Sequence, residues 1–180
     1  MSHREASTRL RRWVIFAVGV IAILLVDQVS KQWIVNNLAL GETYQVIPAL
    51  YPVFQFTYSA NTGAAFGIFP ELSWLFQILP LLIVVAILYF IYRSQDTDTV
   101  MHIAFGIVVG GALGNFIDRL QHGHVVDFFH IYIPPLNFSN VSNFADHAIV
   151  LGVIMLLIDN LLAERRAQRE KQAESLAEES

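Results

Sequence analysis

The sequence predicts an all-α membrane protein of four transmembrane helices, with a small extracytoplasmic β-cradle on the membrane surface. Three observations carry that expectation. Hydrophobic residues make up 55% of the 180 residues and charged residues only 14%, whereas a soluble domain carries roughly 25% charged residues. Four apolar stretches are each close to the roughly 20 helical residues that cross a ~30 Å hydrocarbon core. Lys and Arg are absent from two long segments that would then lie on the same side of the membrane. The length favours one compact domain.

The first expected span runs from about Trp13 to Trp33. It is purely apolar as far as Val26 and then meets Asp27 and Lys31. Four arginines precede it, but no small-residue cleavage site follows, so it reads as a retained helix rather than a leader. The second span, Leu72 to Tyr92, and the third, Thr99 to Ile117, contain no charged residue. The fourth extends from about Asn143 to Leu162, with Asp146 near its start and Asp159 near its end.

Orientation follows from the basic residues. Arg4, Arg9, Arg11 and Arg12 precede the first span, Arg93 follows the second, and Arg165, Arg166, Arg169 and Lys171 follow the fourth. Both termini and the 93–98 turn are therefore expected in the cytoplasm. The expected organisation is a cytoplasmic segment (1–12), a membrane domain (13–163) with outer segments at about 35–71 and 120–142, and a polar cytoplasmic tail (164–180) of helix-like composition that frays. Within the outer segments, Tyr44–Ile47, Val53–Tyr58, Val125–Val126 and Phe128–Ile133 are rich in β-branched and aromatic residues. Pro48 and Pro52 suggest that the first two are short edge strands.

Composition also excludes chemistry. There is no cysteine, hence no disulfide, thiolate metal site or cysteine nucleophile. No basic patch with interleaved aromatics points to nucleic acid. The net charge of −4 is weighted by the acidic tail.

A charged side chain inside a span costs ~2.5–3.5 kcal/mol on insertion scales, so the polar residues near the outer ends of the spans are the candidates for function. Asp27 and Lys31 are four apart and can pair on one helix face; an ion pair that makes the helix end tolerable explains both. Asn61-Thr62-Gly63 begins a polar loop, ordinarily only a turn. Gly106, Gly110, Gly111 and Gly114 form a helix-packing face. Asn115, Asp118 and Arg119 make one polar stripe, either an interfacial cap or a place where Arg119 holds an anionic lipid group or a carbonyl oxygen. Asp127 is a lone carboxyl in an apolar run. Asp146 lies in the first turn of the last helix, with Asn143 able to cap it. Two neighbouring carboxyl groups share a proton, so one activates water while the other protonates or polarises a carbonyl. Nineteen positions separate Asp127 from Asp146, and spacing alone leaves open a capping acid and a separate buried one.

Two other classes fit less well. His122, His124, Asp127 and His130 have metal-ligand chemistry, as a metal-dependent membrane hydrolase would need, but their spacing matches no zinc motif. A small transporter would carry polar residues at mid-bilayer rather than at one end. Ser30 and Lys31 are adjacent and point apart on a helix, which argues against a serine route.

Taken in order, Asp27-x3-Lys31, Asn61-x-Gly63-Ala64-Ala65-Phe66-Gly67, Gly111-x2-Gly114-Asn115-x2-Asp118-Arg119, Val125-Val126-Asp127-Phe128 and Phe138 through Asn143-x-Ala145-Asp146 resemble the motifs of lipoprotein signal peptidases (signal peptidase II). The resemblance covers about residues 10–163. It implies an aspartic endopeptidase with Asp127 and Asp146 as catalytic dyad, and with Asn61, Asn115, Arg119 and Asn143 contacting substrate or inhibitor. Asp118, Gly63, Asp27 and Lys31 would support that shell. The implied substrate is a prolipoprotein whose cysteine already carries diacylglycerol, cut just before that cysteine at the periplasmic face of the bacterial inner membrane. Globomycin-type cyclic peptides are the implied inhibitors. No cofactor or metal is expected, and a monomer in the phospholipid bilayer is.

Because the chain has no cysteine, its topology can be mapped directly. Gln45→Cys should react with an impermeant thiol reagent in intact spheroplasts, whereas Gln95→Cys and Ala173→Cys should stay protected. Labelling at either of the latter two would invert the orientation.

Overall fold

The computed structural model describes residues 3–63, 73–93 and 98–178. Among these residues, four α-helices occur in chain order: α1 (His3–Asn37), α2 (Ser73–Arg93), α3 (Thr99–His122) and α4 (Phe144–Glu178). Between them lie β1 (Thr43–Tyr44), β2 (Phe54–Asn61), β3 (Val125–Ile133) and β4 (Phe138–Ser142). They form one antiparallel sheet in the order β1-β2-β3-β4.

Among the described residues, three helical stretches are long and apolar enough to cross a membrane: Ser7–Asn37, Thr99–His122 and Phe144–Ser175. The described apolar stretch of α2, Ile78–Arg93, is shorter. The expected second span lies there and begins at Leu72, outside the described residues. Helix α4 continues through the polar tail to Glu178 instead of fraying after the apolar run. Its Glu-, Gln-, Arg- and Ala-rich composition has high helix propensity.

Helix α3 is central and packs against α1, α2 and α4. Its glycines make the close approaches possible, and they serve two neighbours rather than one face. A Cβ on Gly106 or Gly110 would meet α1, at Phe16 O (2.6 Å) and Ile23 Cβ (2.8 Å) respectively. A Cβ on Gly111 would meet Ala145 O of α4 (2.5 Å), and one on Gly114 would collide with the Asp27 carboxyl. Without side chains there, backbones approach closely and van der Waals packing holds the helices together. Phe16, Val84, Val109 and Ala112 fill the space between α1, α2 and α3. Large apolar side chains such as Val18, Leu25, Val85, Ile154 and Leu157 remain exposed, as lipid-facing surfaces require.

The sheet departs from expectation in three ways. Strand β2 is interior, between β1 and β3, rather than an edge strand. Residues Gln45–Ile47 are not strand, and β4, which the sequence did not suggest, pairs with β3. The sheet docks on the end of α1, where Ile34 and Leu38 pack with Val126 and Phe128. Successive strand residues face opposite ways, so Asp127 between those two points to the other side. Phe129 and Phe144 stack edge to face at 4.8 Å and join β3 to the start of α4. Helix α3 ends at Gly123 in the left-handed region (φ 76°), whose N–H donates to Arg119 O. That turn leads directly into β3.

Gly111→Ala should force α3 away from the Ala145 carbonyl. Overpacking of this kind costs about 1–3 kcal/mol. The expected result is a lower thermal midpoint of the detergent-solubilised protein than in the parent; an unchanged midpoint would show that α3 and α4 tolerate separation.

Candidate active site

Where α1, α3 and α4 meet the sheet, the bundle encloses polar groups. Lys31, Asp27, Asp118, Asp127, Asn115 and Asn143 are all buried, Lys31 to 2% exposure. The Lys31 ammonium contacts Asp27 Oδ2 and Asp118 Oδ2, both at 2.8 Å, and donates to Asn115 Oδ1 at 2.8 Å. Its three N–H donors thus match three acceptors. Gln28 adds a second link, donating to Asp27 Oδ2 (3.1 Å), Asp118 Oδ1 (3.0 Å) and Gly114 O (3.2 Å). The two acids also hold backbone: Ala145 N donates to Asp27 Oδ1 and Val126 N to Asp118 Oδ2, each at 3.0 Å. The start of α4 and the start of β3 are therefore tied to charged groups on α1 and α3.

Those two backbone segments carry Asp146 and Asp127. Asn143 caps α4: its Oδ1 accepts from Asp146 N at 2.9 Å, which places Asp146 in the first turn of the helix. The same Asn143 donates through Nδ2 to Asp127 Oδ1 (2.6 Å) and to Asn115 Oδ1 (3.1 Å). Asn115 in turn donates to Asp146 Oδ1 at 2.7 Å. One buried pair of amides thus reaches both carboxyl groups.

From the sheet side, Asn61 Nδ2 donates to Asp127 Oδ2 at 2.9 Å. Gly63 orients that amide: in the left-handed region (φ 79°), its N–H donates to Asn61 Oδ1 at 2.8 Å. This is a turn closed by the asparagine side chain. Residues 64–67 of the same motif lie outside the described residues. Arg119 Nη1 donates to Asn115 O at 3.1 Å, and its charge lies near Asp146, Asp118 and Asp127. Asn115 and Arg119 also line a cavity of about 160 Å³ whose other walls are apolar, among them Leu79, Ile83, Val108 and Ile149.

Burial pushes the Asp127 carboxyl up to about 6; the Asn61 amide opposes this, the nearby Asp146 charge adds to it, and Asn143 and Lys31 pull it down again. All ten residues singled out from the sequence thus gather in one network. Sequence reading missed Gln28, whose signal was a lone amide beside Asp27 in an apolar span. It also left Asp27 and Lys31 as an isolated pair, whereas Asp118 is a third member. The histidine alternative comes apart: His130 bonds Thr57, Gln55 and Ser139 on the sheet, away from the amides that hold Asp127.

The family profile of Signal peptidase (SPase) II matches residues 19–162. The chain belongs to the signal peptidase II family. It is a membrane peptidase that removes signal peptides from lipoprotein precursors. It is 39% identical over 160 residues to a lipoprotein signal peptidase of Halalkalibacterium halodurans, a match covering 89% of this chain and all of that protein. A bacterial membrane enzyme solved by the in meso method at 1.9 Å resembles it with a TM-score of 0.71 and 33% identity, over 81% of this chain and 92% of that one. A second such structure, at 2.3 Å, gives 0.69 and 33%, over 81% and 87%.

The environment of Asp127 in this signal peptidase sets an expectation for pH. The Asn61 amide favours the ionised carboxylate, so Asn61→Ala should raise the Asp127 pKa. The acid limb of kcat/KM, a property of the coupled pair, should then move to higher pH. A profile that falls in amplitude without moving would show that Asn61 contacts substrate but does not tune the acid.

Proposed function

We propose that this signal peptidase is an aspartic endopeptidase in which Asp127 and Asp146 form the catalytic dyad. The observation that carries the reading is the Asn143–Asn115 amide pair, which bonds both carboxyl groups and couples them at the end of the bundle. Two coupled acids hold one proton between them. The ionised member takes a proton from water, the water oxygen attacks the scissile carbonyl carbon, and the protonated member gives its proton to the carbonyl oxygen. Proton return to the amide nitrogen then releases the two fragments. A carboxyl pushed to about 6 is suited to exchange protons near neutral pH.

The substrate is a diacylglyceryl-modified prolipoprotein, cut just before the lipidated cysteine. The apolar cavity beside Asn115 and Arg119 supports this, since each buried CH₂ contributes ~0.8 kcal/mol and the guanidinium can hold a carbonyl or ester oxygen. Asn61 and Asn143 position Asp127, and globomycin-type cyclic peptides compete for the same place. Asp27, Lys31, Asp118 and Gly63 hold the shell. The protein works as a monomer without cofactor. Its membrane domain (13–163) crosses the inner membrane four times, both termini are cytoplasmic, and the outer segments 35–71 and 120–142 face the periplasm.

Asp127→Asn and Asp146→Asn should each lower turnover of a lipidated prolipoprotein by at least ~10²–10⁴-fold. The double variant should be little worse, because the pair acts as a unit. Asp146→Asn keeps an oxygen for the Asn115 amide. Asp127→Asn sets an amide against one of two amide donors, so its folding should be checked by thermal unfolding. Substantial activity in a folded Asp127→Asn protein would end the aspartic reading.

A further inference from the structure

The far end of the bundle carries a second polar cavity, of about 350 Å³, lined by Thr8, Arg11, Arg12, Ile15, Thr99 and His102. Thr99 begins α3 and Asp118 is near its end, so at 1.5 Å per residue the cavity lies about 28 Å from the Lys31 cluster. That is close to the thickness of a bilayer core, which puts the cavity level with the opposite headgroup layer. We propose that it binds a phosphate group of the kind a phospholipid headgroup carries.

Three features converge on it. The first is charge. Arg11 and Arg12 come from α1, while Arg9 on the same helix stacks instead on the Tyr92 ring at 5.4 Å. Arg11 is exposed at the cavity mouth; Arg12 is half-buried and already engaged within the protein. The second is the start of α3, whose dipole end favours an anion. Asp98 caps it, its Oδ1 accepting from Val100 N at 2.7 Å, so one carboxylate stands against two guanidiniums and a helix N-terminus.

The third is His102. This ring is wholly buried, and its Nδ1 donates to Asp98 O. Its Nε2 is buried without a hydrogen-bond partner among the described residues. A buried polar atom left unpaired costs free energy, and this one belongs to a residue of the cavity wall. Nε2 serves a ligand in either ring state: it accepts from a hydroxyl when the ring is neutral and donates to an anionic oxygen when the ring is charged. A phosphate oxygen bridging Nε2 and Arg11 would satisfy both.

The source of the phosphate can be separated from its recognition. Full-length protein in a phosphate-free detergent should broaden the ³¹P resonance of short-chain phosphatidylglycerol saturably, with one equivalent bound. Arg11→Gln and His102→Gln should each weaken that binding at least tenfold. Arg11 is exposed, so its replacement leaves the packing intact, and prolipoprotein cleavage at the other end of the bundle should persist in both variants. Competition by inorganic phosphate would identify a site that accepts the free ion as well. Binding of the lipid alone would identify a headgroup site, and either outcome supports the proposal. Equal binding in parent and both variants, or no saturable binding of either probe, would overturn it.

Discussion

A single ammonium organises this protein. Lys31 is buried among Asp27, Asp118 and Asn115, each at 2.8 Å, and a charge in such a place is tolerable only when its donors are matched. Meeting that condition requires α1 and α3 to hold one register, because two of the three acceptors are on α3. Gly114 permits it: any side chain there would occupy the space of the Asp27 carboxyl. Asp27 gives its other oxygen to Ala145 N, and the Asp118 oxygen that contacts Lys31 also accepts from Val126 N. The ion cluster consequently sets where α4 begins and where β3 leaves the bundle.

The site inherits its geometry from those anchors. Asp146 is one residue beyond Ala145, and Asp127 one residue beyond Val126. Neither acid touches Lys31 directly in the hydrogen-bond network; both are reached through Asn115 and Asn143. Amides suit this intermediary position because each offers a donor and an acceptor. Asn143 uses its oxygen to cap α4 and its nitrogen to hold Asp127. Asn115 uses its oxygen for Lys31 and its nitrogen for Asp146. A carboxylate in place of either would lose the donor half of that bridge, and an aliphatic group both halves.

Lipid explains why so much polarity is internal. The lipid-facing surfaces of α1 and α4 are apolar, and the charged residues of the spans turn inward, as they must in hydrocarbon. At the sheet end they are also close to the membrane surface, where water and a peptide chain can both arrive. The strands cover that end without a lysine or arginine of their own. One face of β3 presents Asp127 to the Asn143 and Asn61 amides, while Val126 and Phe128 on the other seat the sheet on Ile34 and Leu38.

By itself the sequence determined the class of protein, the approximate helices and the end of the bundle at which polar residues collect. Those properties are local: a run of apolar residues long enough for a bilayer, interrupted by Asp27, Asp118 or Asp146, is legible without knowing any neighbour. The ordered motifs also pointed to the family. Tertiary structure alone decided the partners. Lys31 with Asp118, Asn143 with Asp127 and Asn115 with Asp146 are pairs between elements far apart in the chain, set by how α1 and α4 pack around the glycines of α3. Gln28 and β4 were invisible for the same reason. An amide in a helix and a short polar strand acquire meaning only from what lies across from them, and no periodicity in the chain encodes that.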